Sequence, residues 1–200
     1  MKTKWGLILL AAASVAIPGL AQAQSLTAPR VEVTLIPAGA LVFTENADAS
    51  APDFGNYHLG GAVAGNVNRF IGVEGEIGTS IGVSQELGFG YDDDIRTPDL
   101  LTYSGNLVVS VPTRAALVPY VTGGVGGLTV FDREEIGINQ TETLFTSNVG
   151  GGLKWFATRH VGVRADYRFF MVKSKDTAPS FFGQENRYGH RLYGGLLLTY

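Results

Sequence analysis

Seven ionisable residues sit on one parity of alternating segments, and they are the richest chemistry this sequence offers: Glu74 and Glu76; Lys154; Arg164, Asp166 and Arg168; and Arg191. Side chains two apart on an extended chain share a face. Glu74 and Glu76 therefore form one carboxylate pair, and Arg164, Asp166 and Arg168 one mixed row. That pattern suits ion pairing between segments and not acid–base catalysis. Three histidines remain. His160 opens a segment beside a turn. His58 shares the charged parity and reads as a hydrogen-bonding filler. His190 has the apolar parity, where an esterase would want a base, yet no serine stands two residues from any histidine. Asp92-Asp93-Asp94 reads as solvated loop acids and not as a cation site. Gly123 to Gly127 lacks the Lys-Ser/Thr of a phosphate loop. Asn139-Gln140-Thr141 is a chance glycosylation sequon, and Phe181-Phe182 a loop pair packed on its own loop. The expectation is a protein with no catalytic residues, no cofactor and no metal site, hence no enzyme.

Composition narrows the class that must position these charges. The chain has 200 residues, 45% hydrophobic and 16% charged, with 27 glycines, no cysteine and a net charge of −3. So few charges argue against disorder, and the acidic balance argues against a nucleic-acid partner. Without cysteine there is no disulfide framework, thiolate site or lipid-bearing cysteine. The length suits one domain.

The first 23 residues read as an address. Met1 to Lys4 is basic, Trp5 to Ile17 is apolar, Pro18-Gly19 breaks the run, and Ala21-Gln22-Ala23 has the form of a cleavage site. The expected division is a signal peptide over 1–23 and one domain over 24–200, beginning at Gln24. No later run is long and apolar enough for a membrane helix.

The remainder alternates with period 2 in eight segments: 30–43, 55–67, 69–80, 100–112, 116–130, 143–156, 160–172 and 187–200. Val31, Val33, Leu35, Leu41 and Phe43 share a parity in the first. The parity of the glycine-dense fifth stays open. Segments of this length are long for a soluble sandwich but suffice for a tilted membrane strand, which needs ~9–11 residues. Short links (Asn68-Arg69, Pro112-Thr113-Arg114, Ala157-Thr158-Arg159) alternate with long polar ones (44–54, 81–99, 131–142, 173–186), as in an outer-membrane barrel with short periplasmic turns and long extracellular loops.

The apolar parity carries aromatics near segment ends. Phe43, Tyr57, Tyr103, Phe145, Phe169 and Tyr188 lie toward the long loops, Trp155 and Tyr200 toward the short turns. Facing lipid, they would form two interfacial girdles. The opposite parity carries the charges, with Asn56, His58, Asn66, Ser104, Asn106 and Asn148. An eight-strand barrel has room inside for side chains only, and buried charges there must pair. Glu74 and Glu76 are expected to pair with some of Arg164, Arg168, Arg191 and Lys154.

The chain ends Tyr193-Gly194-Gly195-Leu196-Leu197-Leu198-Thr199-Tyr200. Gly195, Leu198 and Tyr200 resemble the terminal signal read by the outer-membrane assembly machinery, with Tyr193 fitting through its hydroxyl. The stretches 119–127, 148–155 and 161–168 are similar to the fifth, sixth and seventh strands of the small outer-membrane β-barrel family. That family includes the opacity-type proteins, the porin-family barrels and the transmembrane domain of outer-membrane protein A. The resemblance implies an all-β fold: an eight-stranded antiparallel transmembrane barrel in the outer membrane of a Gram-negative cell. Its implied partners are outer-membrane lipid, lipopolysaccharide and the assembly machinery. It has no counterpart of a peptidoglycan-binding domain, so no cell-wall tether is expected. The function expected is structural or surface-interactive, with the loops as the interaction elements. A narrow pore for small solutes is the first alternative. An exported, soluble, lipocalin-like carrier with a cavity lined by the apolar parity is the second.

Overall fold

A computed structural model describes residues 31–44, 54–85, 95–113, 115–131, 141–173 and 186–200. The segment read as a signal peptide, Asp92-Asp93-Asp94, Arg114, Asn139-Gln140 and Phe181-Phe182 lie outside the described residues. Ten strands follow in chain order: β1 (Val31–Phe43), β2 (Phe54–Asn66), β3 (Ile71–Ile81), β4 (Ser84–Gln85), β5 (Ile95–Arg96), β6 (Leu100–Ser110), β7 (Leu117–Val130), β8 (Glu142–Phe156), β9 (Val161–Val172) and β10 (Arg187–Thr199). Eight of them close a barrel in the order β1-β10-β9-β8-β7-β6-β3-β2, every pair antiparallel. Closure leaves no exposed sheet edge. β4 and β5 make a small separate ribbon within the long β3–β6 link.

Alternation decides which way each residue faces. Val63, Val73, Ile77, Leu107, Val121, Val149, Leu153, Leu192 and Leu196 point out and stay exposed. Barrel strands of 11–15 residues at ~3.3 Å per residue and a tilt of ~40° rise about 28–38 Å, more than the ~25 Å apolar band of a membrane barrel. An apolar belt that is exposed all round such a wall is the surface lipid requires. Among the described residues that apolar parity faces outward and lines no interior cavity of the lipocalin kind.

Two short turns have one geometry. In the β2–β3 turn the N–H groups of Val67 and Asn68 donate to Ile71 O, and Asn68 Oδ1 accepts from the N–H groups of Phe70 and Ile71. In the β8–β9 turn the N–H groups of Ala157 and Thr158 donate to Val161 O, and Thr158 Oγ1 accepts from those of His160 and Val161. A short polar side chain at the second position satisfies the backbone donors that so tight a reversal frees.

β1 departs from strict alternation. Its register slips between Leu35 and Ala38 against β10, and between Ile36 and Gly39 against β2. Pro37 at this bulge has no N–H for the ladder, and its carbonyl accepts from the outward Tyr57 hydroxyl at 2.6 Å. A bulge adds one residue and inverts every face beyond it. Glu32, Thr34 and Ile36 point in before the bulge, and Leu41 and Phe43 point in after it. The reading of Leu41 and Phe43 as outward is thereby corrected. Phe43 is fully buried against Phe54 at 5.0 Å between ring centroids and belongs to no girdle.

Candidate functional site

The barrel interior is where the chemistry gathers, and each charge gets there by strand parity. β3 supplies Glu74 and Glu76, β9 supplies Arg164, Asp166 and Arg168, and β10 supplies Arg191. β3 and β9 are four strand positions apart whichever way the ring is traversed. Their side chains therefore meet by crossing the lumen, not by lying side by side.

The network is dense. Glu74 Oε2 pairs with Arg164 Nη1, and Glu74 Oε1 takes Arg168 Nη2 at 2.7 Å and Asn106 Nδ2 at 3.2 Å. Asp166 accepts from Arg164 Nη2 at 2.8 Å, Arg168 Nε at 2.9 Å and the Tyr120 hydroxyl at 2.5 Å. Glu76 pairs with Arg191 Nη2 and with Arg168 Nη2 at 3.2 Å, and accepts from the Tyr193 hydroxyl at 3.3 Å. Arg164 lies over the rings of Tyr120 and Tyr193, and Arg191 over Phe170 and Tyr193. Three guanidiniums face three carboxylates, so the cluster is neutral. Buried ions persist only when paired and hydrogen-bonded in this way.

Of the four cations offered as partners for Glu74 and Glu76, Arg164, Arg168 and Arg191 take them, and Lys154 does not join that cluster. Its Nζ pairs with Glu32 Oε2 at 2.5 Å, nearer the short-turn end, where Asn66 Nδ2 donates to Glu32 Oε1 at 2.9 Å. Glu32 escaped the sequence reading because β1 was read only for its apolar face. Its alternation with Thr34 was the available signal. Tyr120 was missed as a network member because the parity of its segment stayed open, and Tyr193 because it was weighed only within the terminal pattern, although its place two residues from Arg191 was the available signal.

Toward the long loops the interior turns apolar. Leu41, Phe43, Phe54, Leu100, Leu128, Val130, Leu144, Phe170 and Val172 pack into one buried cluster, and Arg187 lies over the rings of Phe43 and Phe54. Above it, Thr97 is fully buried and its hydroxyl donates to Asn56 Oδ1 at 2.6 Å, while Asn56 Nδ2 donates to Pro98 O at 2.8 Å. His58 is sealed beneath this cap, with Nδ1 2.9 Å from Ser80 Oγ. Asn148 Nδ2 donates to Asn106 Oδ1, and Asn106 Nδ2 donates to Ser104 Oγ.

The remaining sequence candidates lie on the outer wall and rims. Tyr57, Tyr103, Phe145, Trp155, Tyr188 and Tyr200 point outward and are exposed, and Phe169 is half-buried on the same face. His190 faces out, its Nδ1 2.7 Å from the Tyr167 hydroxyl. Gly195 and Leu198 lie on β10, which closes the ring on β1, and Tyr200 exchanges backbone hydrogen bonds with Val31. His160 is held in its turn, with Nδ1 3.1 Å from Thr199 O.

Comparison with known proteins agrees with this geometry. The family described as outer membrane protein beta-barrel domain matches residues 7–193. No match was found among curated proteins. Among solved structures, Neisserial surface protein A is similar at 12% identity and a TM-score of 0.61, covering 85% of this chain and 97% of that one. The attachment invasion locus protein of Yersinia pestis, in complex with the heparin analogue sucrose octasulfate, is similar at 13% identity and a TM-score of 0.50, covering 84% and 98%. The N-terminal β-barrel domain of Pseudomonas aeruginosa OprF is similar at 15% identity and a TM-score of 0.49, covering 86% and 99%. At such identities the first two show a likeness of fold alone.

Proposed function

Because the chain belongs to the outer membrane protein β-barrel family and so resides in the cell outer membrane, we propose that it serves there as a non-enzymatic structural and surface-presenting protein. Its barrel is a closed peg, and its long extracellular loops are the elements that meet partners. The observation that carries this reading is the lumen-crossing network. Arg168 is 0% exposed, and Glu74, Asp166 and Arg191 are 1% exposed. Groups so dry support a plugged lumen among the described residues, and the apolar cluster beneath the loops supports a second seal. Conduction through a narrow lumen would need both to part.

Planar-bilayer recording tests the reading. The refolded protein should give a quiet bilayer, with no reproducible openings at moderate voltage. Steady unitary openings that change size in the Arg164→Gln variant would place a pore in this lumen and defeat the proposal. Openings that ignore Arg164 and Glu74 substitutions would come from bilayer defects, and the closed-peg reading would stand.

A further inference from the structure

The short-turn rim carries a charge pattern that the lumen does not explain. Arg69 and Arg159 occupy the same third position of the two matching turns, each followed by an exposed ring, Phe70 or His160. The guanidinium of Arg69 lies 4.6 Å from the Phe70 ring centroid. The backbone of Arg159 is fixed by the Thr199 hydroxyl, which donates to its carbonyl at 2.6 Å. Among the described residues of the short links there is no Asp or Glu, and neither arginine has a carboxylate partner. Every acid of the barrel outside the lumen lies in or beside a long link. The β2–β3 and β8–β9 turns fall on opposite sides of the ring, since four strands separate them either way.

We propose that Arg69 and Arg159 hold the phosphodiester groups of anionic phospholipids in the periplasmic leaflet. Depth supports this occupant. Trp155 points outward and is exposed only a few residues before Arg159, and Tyr200 ends the neighbouring strand. Aromatics of this kind sit at the headgroup level, so both guanidiniums emerge among the phosphates. Placement supports it as well. A protein partner would engage one side of the rim, whereas a lipid leaflet surrounds it and meets cations on both. Arginine is suited to phosphate because its planar fork donates two parallel hydrogen bonds, and the adjacent rings fix its height. The third short link carries Arg114 in sequence, outside the described residues and outside this proposal.

Trp155 reports on the site directly. A chain starting at Gln24 has no other tryptophan. The refolded protein is placed in phosphatidylcholine vesicles holding a small fraction of lipid spin-labelled near its headgroup, either phosphatidylglycerol or phosphatidylcholine. Labelled phosphatidylglycerol should quench Trp155 as though about fivefold enriched at the rim, the usual effect of one basic residue at an anionic surface. Arg159→Gln should bring the two labels level, and Arg159→Lys should keep part of the preference. Arg69→Gln, on the far side, should leave the Trp155 readout unchanged. Each variant is first checked for the compact band of a folded barrel on an unheated gel. Equal quenching in the unmodified protein, or a preference that survives Arg159→Gln, overturns the proposal. Inorganic phosphate should weaken the preference more than chloride of equal ionic strength does, because a fork that reads the lipid phosphodiester also takes the free anion. None of these outcomes touches the closed lumen.

Discussion

Glu74 on β3 and Arg164 on β9 stand half a circumference apart in the strand ring, yet their charged ends pair at the centre of the barrel. The two residues are 90 positions apart in the chain. Their contact exists only once all eight barrel strands have closed, so it ties the stability of one wall to that of the opposite wall.

Removing either partner should therefore be costly. Glu74→Gln and Arg164→Gln should each lower stability by about 3 kcal/mol, because each leaves an opposing charge buried without its match. The double variant should lose less than the two single losses combined, with a coupling of ~1–3 kcal/mol. Urea unfolding in lipid vesicles measures all three. Additive losses below ~0.5 kcal/mol would mean that the pair does not hold the walls together.

Gly150 on the inner wall lets the neighbouring strand β9 approach closely where it carries Arg168. A Cβ at Gly150 would stand 2.1 Å from the carbonyl oxygen of Tyr167, 2.8 Å from Arg168 Cα and 3.0 Å from its Cγ, whereas a Cβ at Gly75, on the outer face, meets nothing within 4 Å. Gly150→Ala should cost ~1–3 kcal/mol through overpacking and lower the folded yield. Gly75→Ala should change stability by no more than ~0.5 kcal/mol. Equal effects at the two positions, seen by the fraction migrating as the compact unheated band, would contradict the packing described.

The β1 bulge predicts opposite environments for adjacent residues. A nitroxide at Val42 should collide with oxygen dissolved in the acyl chains, and one at Phe43 should be shielded from both oxygen and a water-soluble relaxant. Leu153 and Lys154 should behave as the same out-and-in pair on β8, where there is no bulge. A lipid-exposed Phe43 would show that Pro37 does not invert the parity.

The closing strand carries the residues that resemble an assembly signal. Tyr200→Ser should slow insertion catalysed by purified assembly machinery severalfold. It should leave equilibrium stability nearly unchanged, because Tyr200 is 75% exposed at the chain end. A large stability loss without a kinetic effect would assign Tyr200 to packing instead.

Much of this architecture was legible along the chain, for a physical reason. Strand parity is a local property, and seven of the eight barrel strands keep one phase from end to end. The outward row Val149, Leu153 and Trp155 could thus be read from residue type alone. Phe43 could not, because a single extra residue at Pro37 flips the face and alternation does not reveal where a bulge falls. The apolar cluster under the loops also stayed hidden. Phe170 shares the inward parity of Arg164, Asp166 and Arg168, but which inward residues of the other strands meet it depends on the closed ring.

Composition and period determined by themselves that the chain forms long strands with one apolar and one charged face, but not which face turns outward, since charges outside and an apolar row inside is an ordinary soluble arrangement. Only the closed ring decided which charges meet. It sent Lys154 to Glu32 and brought Glu74 to Arg164, because pairing across a lumen depends on how many strands lie between two residues and on where each strand starts. Neither quantity is carried by local sequence, and both are set when the last strand pairs with the first.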